Sequence, residues 1–296
     1  LFNSWLSNQY VSKRYKMKAA TFTKRAIQSL VGTLAVAASF GALASPVVTL
    51  WGFEVNSGFS AYLDSNNSTS GITASNPNPN LGMPSLLSWG VPATPAGQSS
   101  LGVGAATNGV FNGLIITDAP AVDTVQVIHN NYPVFTPALK SATLFDLITL
   151  QALSPVGVPF NAAALNFNIK FLETTNSEGT CVVTTSPTPC NDIFVVDVVG
   201  AGFDPLTNTL VQKFLYDTNW YSAVVSIDGL GTLTDAECAA AGAASKCIGF
   251  TTVENESNVF QVSLAINNSV PEPGSLALFG LALVGLGMVR RRKNAA

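Results

Sequence analysis

Residues able to do chemistry are few in this chain of 296: one histidine, His129, four cysteines and 17 carboxylates. A single histidine excludes a multi-histidine metal centre and makes any serine or cysteine triad depend on that one base. No G-x-S-x-G elbow occurs; Gly97-Gln98-Ser99-Ser100 lacks the second glycine at the required place. P-loop, G-x-G-x-x-G and EF-hand strings are also absent. The carboxylates are numerous enough for a glycosidase-type pair, but their separation in space is not written in the sequence. A secreted hydrolase is thus one function class to weigh, without an assigned catalytic residue.

His129 stands in the phrase Val127-Ile128-His129-Asn130-Asn131-Tyr132-Pro133. His-x-Asn before Tyr-Pro at a strand end reads as a turn, with asparagine bonding its own backbone and proline stopping the strand. The competing reading makes His129 and Asn131 ligand or metal contacts. Cys181, Cys190, Cys238 and Cys247 form two pairs with eight residues inside each. Zinc-type C-x2–4-C spacing is absent, so no metal ligand is assigned to them. In an oxidising compartment, 181–190 with 238–247 is the simplest of three disulfide connectivities. Trp51, Trp89, Trp220 and Tyr221 are candidates for carbohydrate stacking if exposed, and core residues otherwise. No cofactor is required by any motif, and calcium held by clustered acids stays open.

The elements that must position these groups are strands. Leu165, Phe167, Ile169 and Phe171 alternate with polar residues, as do Phe260, Val262, Leu264 and Ile266. Val122 to Val127, Leu144 to Leu150, Ile193 to Val199 and Tyr221 to Ile227 are further β-branched or aromatic runs. Asp204-Pro205, Ser177-Glu178-Gly179 and Asp228-Gly229 supply turns. Asp235 to Ala244 is one short helix with Thr234 as N-cap. Residues 64–109, rich in Asn, Pro, Ser and Gly, read as a long surface excursion. The expectation is an all-β ectodomain over residues 45–270, an antiparallel sandwich or jelly-roll-like fold.

Both ends read as addresses. Lys18, Lys24 and Arg25 precede the apolar stretch Ala26 to Phe40, and Ala42-Leu43-Ala44 gives a small-x-small site. Residues 17–44 are therefore read as a signal peptide cleaved between Ala44 and Ser45, with signal peptidase as partner. Residues 1–16 are read as an upstream extension or gene-start artefact. At the other end Pro271-Glu272-Pro273 precedes Ser275 to Val289, 15 apolar or small residues, and then Arg290, Arg291, Arg292 and Lys293. Such a helix is about 22 Å long, short of the ~30 Å hydrocarbon core. The cations hold that end in the cytoplasm. Removing the ends exposes a charge asymmetry: between Ser45 and Val270 sixteen carboxylates face four lysines, a net charge of −12. A surface of that sign repels nucleic acid and anionic lipid, which excludes nucleic-acid binding.

Residues 271–296 resemble the PEP-CTERM sorting domain, the substrate tag of exosortases in Gram-negative bacteria. That resemblance implies exosortase as partner, recognition at Pro271-Glu272-Pro273, transient inner-membrane anchoring, and removal of helix and basic cluster. Leu87-Ser88-Trp89-Gly90-Val91-Pro92, Gln98-Ser99-Ser100-Leu101, Glu173-Thr174-Thr175-Asn176, Cys190-Asn191-Asp192-Ile193-Phe194 and Gly249-Phe250-Thr251-Thr252-Val253-Glu254, together with the His129 phrase, resemble the THxN group of these proteins. Ile128 replaces its name-giving threonine, while His129 and Asn131 match. The implied setting is a non-catalytic cell-surface or extracellular-matrix protein, associated with exopolysaccharide or biofilm; the alternative is a carbohydrate- or calcium-binding module. Neutral residues at Arg290 to Lys293 should damage retention and orientation. Membrane fractionation and labelling of the C-terminus measure this, and unchanged retention would remove the stop function from the cluster.

Overall fold

Period-two alternation becomes strand pairing along most of the chain, which is described here from a computed structural model over residues 45–104, 113–175, 181 and 190–269. In chain order the first half contains β1 (Leu50–Asp64), β2 (Ile72–Pro77), β3 (Pro84–Trp89), β4 (Val91–Pro92), β5 (Ser99–Val103), β6 (Gly113–Ile116), β7 (Val122–Asn131), β8 (Val134–Phe135) and β9 (Leu139–Ser154). The second half adds β10 (Val156–Leu172), β11 (Asp192–Val199), β12 (Gly202–Asp204), β13 (Thr209–Tyr216), β14 (Asn219–Ile227) and β15 (Gly231–Thr232). Helix α1 (Asp235–Ala240), β16 (Ile248–Thr252) and β17 (Glu256–Ser269) follow. One sheet has the order β15-β16-β11-β10-β9-β1-β6, the other β12-β13-β14-β17-β7-β5-β3-β2, and β4 pairs with β8 separately. Every pairing is antiparallel. Seven and eight strands exceed the eight of a jelly roll, so the larger sandwich is the better description.

The layers meet through one apolar core. Trp51 of β1 meets Phe214 and Tyr221 of the opposite sheet at ring-centroid distances of 6.1 and 5.2 Å. Phe250 of β16 meets Phe260 of β17 at 4.3 Å. Such aromatic contacts add about 0.5–1.5 kcal/mol each beyond area burial. Trp51, Trp89 and Tyr221 are fully buried, while Trp220 is half-exposed. Three of the four candidate stacking aromatics are thus core residues.

The described residues of the expected surface excursion, 64–104, are largely strands and turns. They supply β2, β3, β4 and β5, three of which belong to the eight-stranded sheet. The composition misleads because Asn and Gly serve its turns: Asn78 Oδ1 accepts from the N–H groups of Asn80 and Leu81, and Gly82 has φ of 68°. Between the turns, Leu87, Trp89 and Leu101 point inward and are buried. Gly90, with φ of 78°, follows Trp89 where an added Cβ would meet Val134 side-chain atoms at 2.5 and 2.6 Å. Both the conformation and the space there require glycine.

Helix α1 starts at Thr234 with a reciprocal capping box to Glu237, as its sequence predicts. It ends at Ala240, four residues before the expected end, and Gly242 with φ of 68° reverses the chain. The disulfides are Cys181–Cys190 and Cys238–Cys247. Among the described residues no helix is long and apolar enough to cross a membrane. The expected signal peptide, Ala44, Pro271-Glu272-Pro273, the 275–289 helix and Arg290 to Lys293 lie outside the described residues.

Asp146 of β9 lies on the inner face between Leu144 and Ile148, all three buried. Burial pushes its carboxyl up to about 6, an effect slightly offset by the hydroxyl of Ser57 opposite it on β1. A folded pKa above the unfolded 3.8 means that the native state keeps its proton longer. Stability is therefore lost as pH rises from about 4 through about 6, by up to about 3 kcal/mol. Asp146→Asn should remove this component: relative to the unsubstituted protein it gains stability between pH 4.5 and 7.5. Urea melts at the two pH values check it, and a constant difference would contradict it.

Candidate functional site

The His129 phrase does not form a turn. His129 is inside β7 and Asn131 is its last residue, paired with Glu256 of β17, while His129 itself pairs with Leu101 on one side and Asn258 on the other. The alternation of β7 directs both His129 and Asn131 inward, and both are fully buried. The imidazole stacks on Trp89 (5.6 Å, 13° between planes) and stands edgewise to Phe171 and Phe194 at 5.5 and 4.9 Å. Burial holds its pKa down to about 3, so the ring is neutral at pH 7. Nδ1 lies 3.0 Å from Oγ1 of Thr252, and the Asn131 amide donates to the Thr252 carbonyl at 3.3 Å. Two residues of one sheet therefore grip one residue of the other.

Thr252 ends β16, and in the adjoining ladder it pairs with Asp192, the first residue of β11. Two residues beyond Thr252 comes Glu254, in the turn to β17. That turn is fixed locally: Asn255 has φ of 63°, and the Asn258 side chain accepts from Val253 N–H and donates to the Val253 and Glu256 carbonyls. Glu173 follows β10, and its Oε2 accepts from the Trp89 indole at 3.3 Å. The Thr174 N–H and hydroxyl reach Asp192 Oδ1 at 2.8 and 3.2 Å, and the same hydroxyl donates to the Cys190 carbonyl at 2.8 Å. The disulfide Cys181–Cys190 thus ends two residues before Asp192.

The outcome is a triad of carboxylates, Glu173, Asp192 and Glu254, each placing one oxygen within 4.8 Å of the others. Asp192 and Glu254 are buried, Glu173 partly so. Burial holds the Asp192 carboxyl well above the ordinary range; the neighbouring charges of Glu173 and Glu254 add to this, against the Thr174 donors. Burial raises Glu254 too, against the Asn255 N–H and the Asn131 side chain. Asp192 Oδ2 and Asn131 Oδ1 have no hydrogen-bond partner among the described residues. Glu173 also borders a cleft of about 860 Å³ lined by Phe135, Lys140, Leu172 and Thr175. The donor set is oxygen only, which suits a hard cation over a soft one.

The structure therefore brings together five of the phrases singled out in the sequence: those containing Trp89, His129 and Asn131, Glu173, Asp192, and Thr252 with Glu254. Sequence reasoning gave no role to the three acids. The available signal was that each sits in one of those phrases. Cys238–Cys247 belongs elsewhere, beside α1, where Cys247 joins a small cluster around Ile193 and Val195.

An all-β antiparallel ectodomain with a buried acidic site defines only a broad class. The more specific finding is at the C-terminus: the PEP-CTERM protein-sorting motif matches residues 269–293. This is the kind of signal that exosortase recognises, and it implies an exported protein routed to the surface. No curated protein matches the chain.

His129→Ala should destabilise the protein by about 3 kcal/mol, since it opens a cavity among three aromatic rings and strips Thr252 of its cross-sheet partner. Chemical denaturation measures it. A loss below about 0.5 kcal/mol, the range of surface substitutions, would contradict the clamp.

Proposed function

We propose that the chain is a non-catalytic cell-surface or extracellular-matrix protein of a Gram-negative bacterium, anchored transiently in the inner membrane and released by exosortase. Association with exopolysaccharide or biofilm is the setting this reading gives the released ectodomain. The observation that carries it is the sorting motif at residues 269–293. Its order is meaningful: proline disfavours helix at and just before its own position, so Pro271-Glu272-Pro273 suits reading as a separate string ahead of the apolar run. The basic residues behind the 15-residue apolar run prevent its being pulled through. Burial of His129 supports the non-catalytic reading, because the one histidine of the chain is fully buried among aromatic rings. An ectodomain charge of −12 supports life in a hydrated, ion-rich matrix over contact with nucleic acid.

The test is the mass of the mature C-terminus in cells with and without exosortase. Replacing Pro271, Glu272 and Pro273 with alanine should trap a cell-associated form that keeps its tail, as should loss of the enzyme. An intact tail in both strains would overturn the sorting reading and leave Ser275 to Val289 as a plain anchor.

A further inference from the structure

We infer that the end of the sandwich bearing Trp220 rests on the lipid surface for as long as the sorting tail is attached. This docking requires the membrane-anchored intermediate proposed above. Strand β17, the last described element, finishes at Ser269, which pairs with Trp220 of β14; Trp220 in turn pairs with Leu215 of β13. The chain enters the domain at the same end. Val48 N–H donates to the Tyr221 hydroxyl at 2.9 Å, and the Asn219 amide donates to the Pro46 carbonyl at 3.5 Å. Two connections meet there as well, since Thr117 N–H donates to the Thr49 carbonyl at 3.0 Å and Thr49 N–H to the Ser154 carbonyl at 2.8 Å. These bonds bring in the turns after β6 and β9. Gly157, just past the second turn, lies so close to the Tyr216 hydroxyl that a Cβ would not fit.

Apolar side chains gather at this end and charge avoids it. Val156 and Val158 are 83% and 74% exposed, and Val47, Ile116, Leu215 and Trp220 are exposed at the same end. Apolar groups collected in this way mark a contact site. The end is built from residues 46–50, 113–121, 152–160, 214–221 and 265–269, in which Asp118 and Asp217 are the only charged residues, with Lys213 just before the fourth segment. Of the sixteen ectodomain carboxylates, those two leave fourteen elsewhere. Asp118 is already engaged, accepting from Asn268 N–H at 2.8 Å. Tether length selects the occupant. Ser275, where the apolar run opens, is six residues beyond Ser269, a reach of about 20 Å when extended. So short a tether holds the facing end at an effective concentration of about a millimolar, and a weak affinity for lipid then suffices. Tryptophan suits the contact, because its ring settles at headgroup level with its N–H hydrated. The surface that fits is zwitterionic, since the fourteen other carboxylates resist an anionic one.

The test uses the tail-bearing chain from cells lacking exosortase, reconstituted with phosphatidylcholine vesicles whose acyl chains carry bromine. Emission from Trp220, taken as the difference between the parent and Trp220→Phe, should be quenched, while the buried Trp51 and Trp89 stay bright. Val156→Asp combined with Val158→Asp should cut the docked fraction about tenfold or more. Because both valines are exposed, the melting temperature and retention by the vesicle should not change. Phe135→Asp alters an exposed residue just beyond β7, at the opposite end, and should leave the quenching intact. Anionic lipid in place of phosphatidylcholine should weaken it. Docking is refuted by unquenched Trp220 in a chain the vesicle retains, by quenching that survives the double aspartate variant, by loss of quenching in Phe135→Asp, or by stronger quenching on anionic vesicles. A Trp220 change that grows with protein density and needs no bromine marks contact between copies of the chain, and it also refutes docking. Vesicles that fail to retain the chain refute the anchored intermediate along with docking, whereas retention without quenching refutes docking alone.

Discussion

Two sheets that share an apolar core have no strong preference for one relative placement, because dispersion and hydrophobic burial are non-directional. In this molecule the placement near β7 is set by Thr252. Its hydroxyl meets the His129 ring nitrogen and its carbonyl takes the Asn131 amide, both across the layer boundary. These bonds are short-ranged and directional, and they are sealed from water by Trp89, Phe171 and Phe194. Individually each contributes about 1 kcal/mol net. Their larger effect is on uniqueness, since a slip of either sheet would leave four buried polar groups unpaired. Asp192 and Glu254 inherit their positions from this clamp, one by ladder pairing with Thr252 and the other by lying two residues beyond it.

The strands with clean alternation were legible in advance. Leu165 to Phe171, Phe260 to Ile266 and the runs in β7, β9, β11 and β14 all lie within strands. Two regions were not. In β1 the polar residues Glu54 and Asn56 are themselves buried, and Asn80 from the β2–β3 turn hydrogen-bonds both. Burial on both faces erases the contrast that alternation relies on. In residues 72–103 the short strands are diluted by turn residues, so composition pointed to a surface segment although Leu87, Trp89 and Leu101 carry the pattern of a buried face. His129 was misread because Tyr132-Pro133 reads as turn chemistry, a signal that marks where β7 stops and says nothing of the inward alternation that buries His129 and Asn131. The carboxylate cluster was illegible because its members are separated by 19 and 62 positions, and only the β10–β11 and β11–β16 ladders bring them together. The sorting motif of the tail was legible, because such a signal is read by another enzyme as a local string and needs no fold to present it.

The two ends of the β9–β10 ladder treat their buried polar groups differently. At one end, Trp51 gathers Phe160, Phe214, Tyr216 and Tyr221 with centroid distances between 5.2 and 6.1 Å. Its polar handles are satisfied: the indole donates to Thr117 Oγ1, and the Tyr221 hydroxyl accepts from Val48 N–H. That end closes with its own side chains. At the other end the same kind of aromatic shell, Trp89, His129, Phe171 and Phe194, surrounds groups that the described residues leave unsatisfied. An apolar repacking of Asp192 and Glu254 would be simpler and more stable in isolation, since buried charge is costly unless compensated.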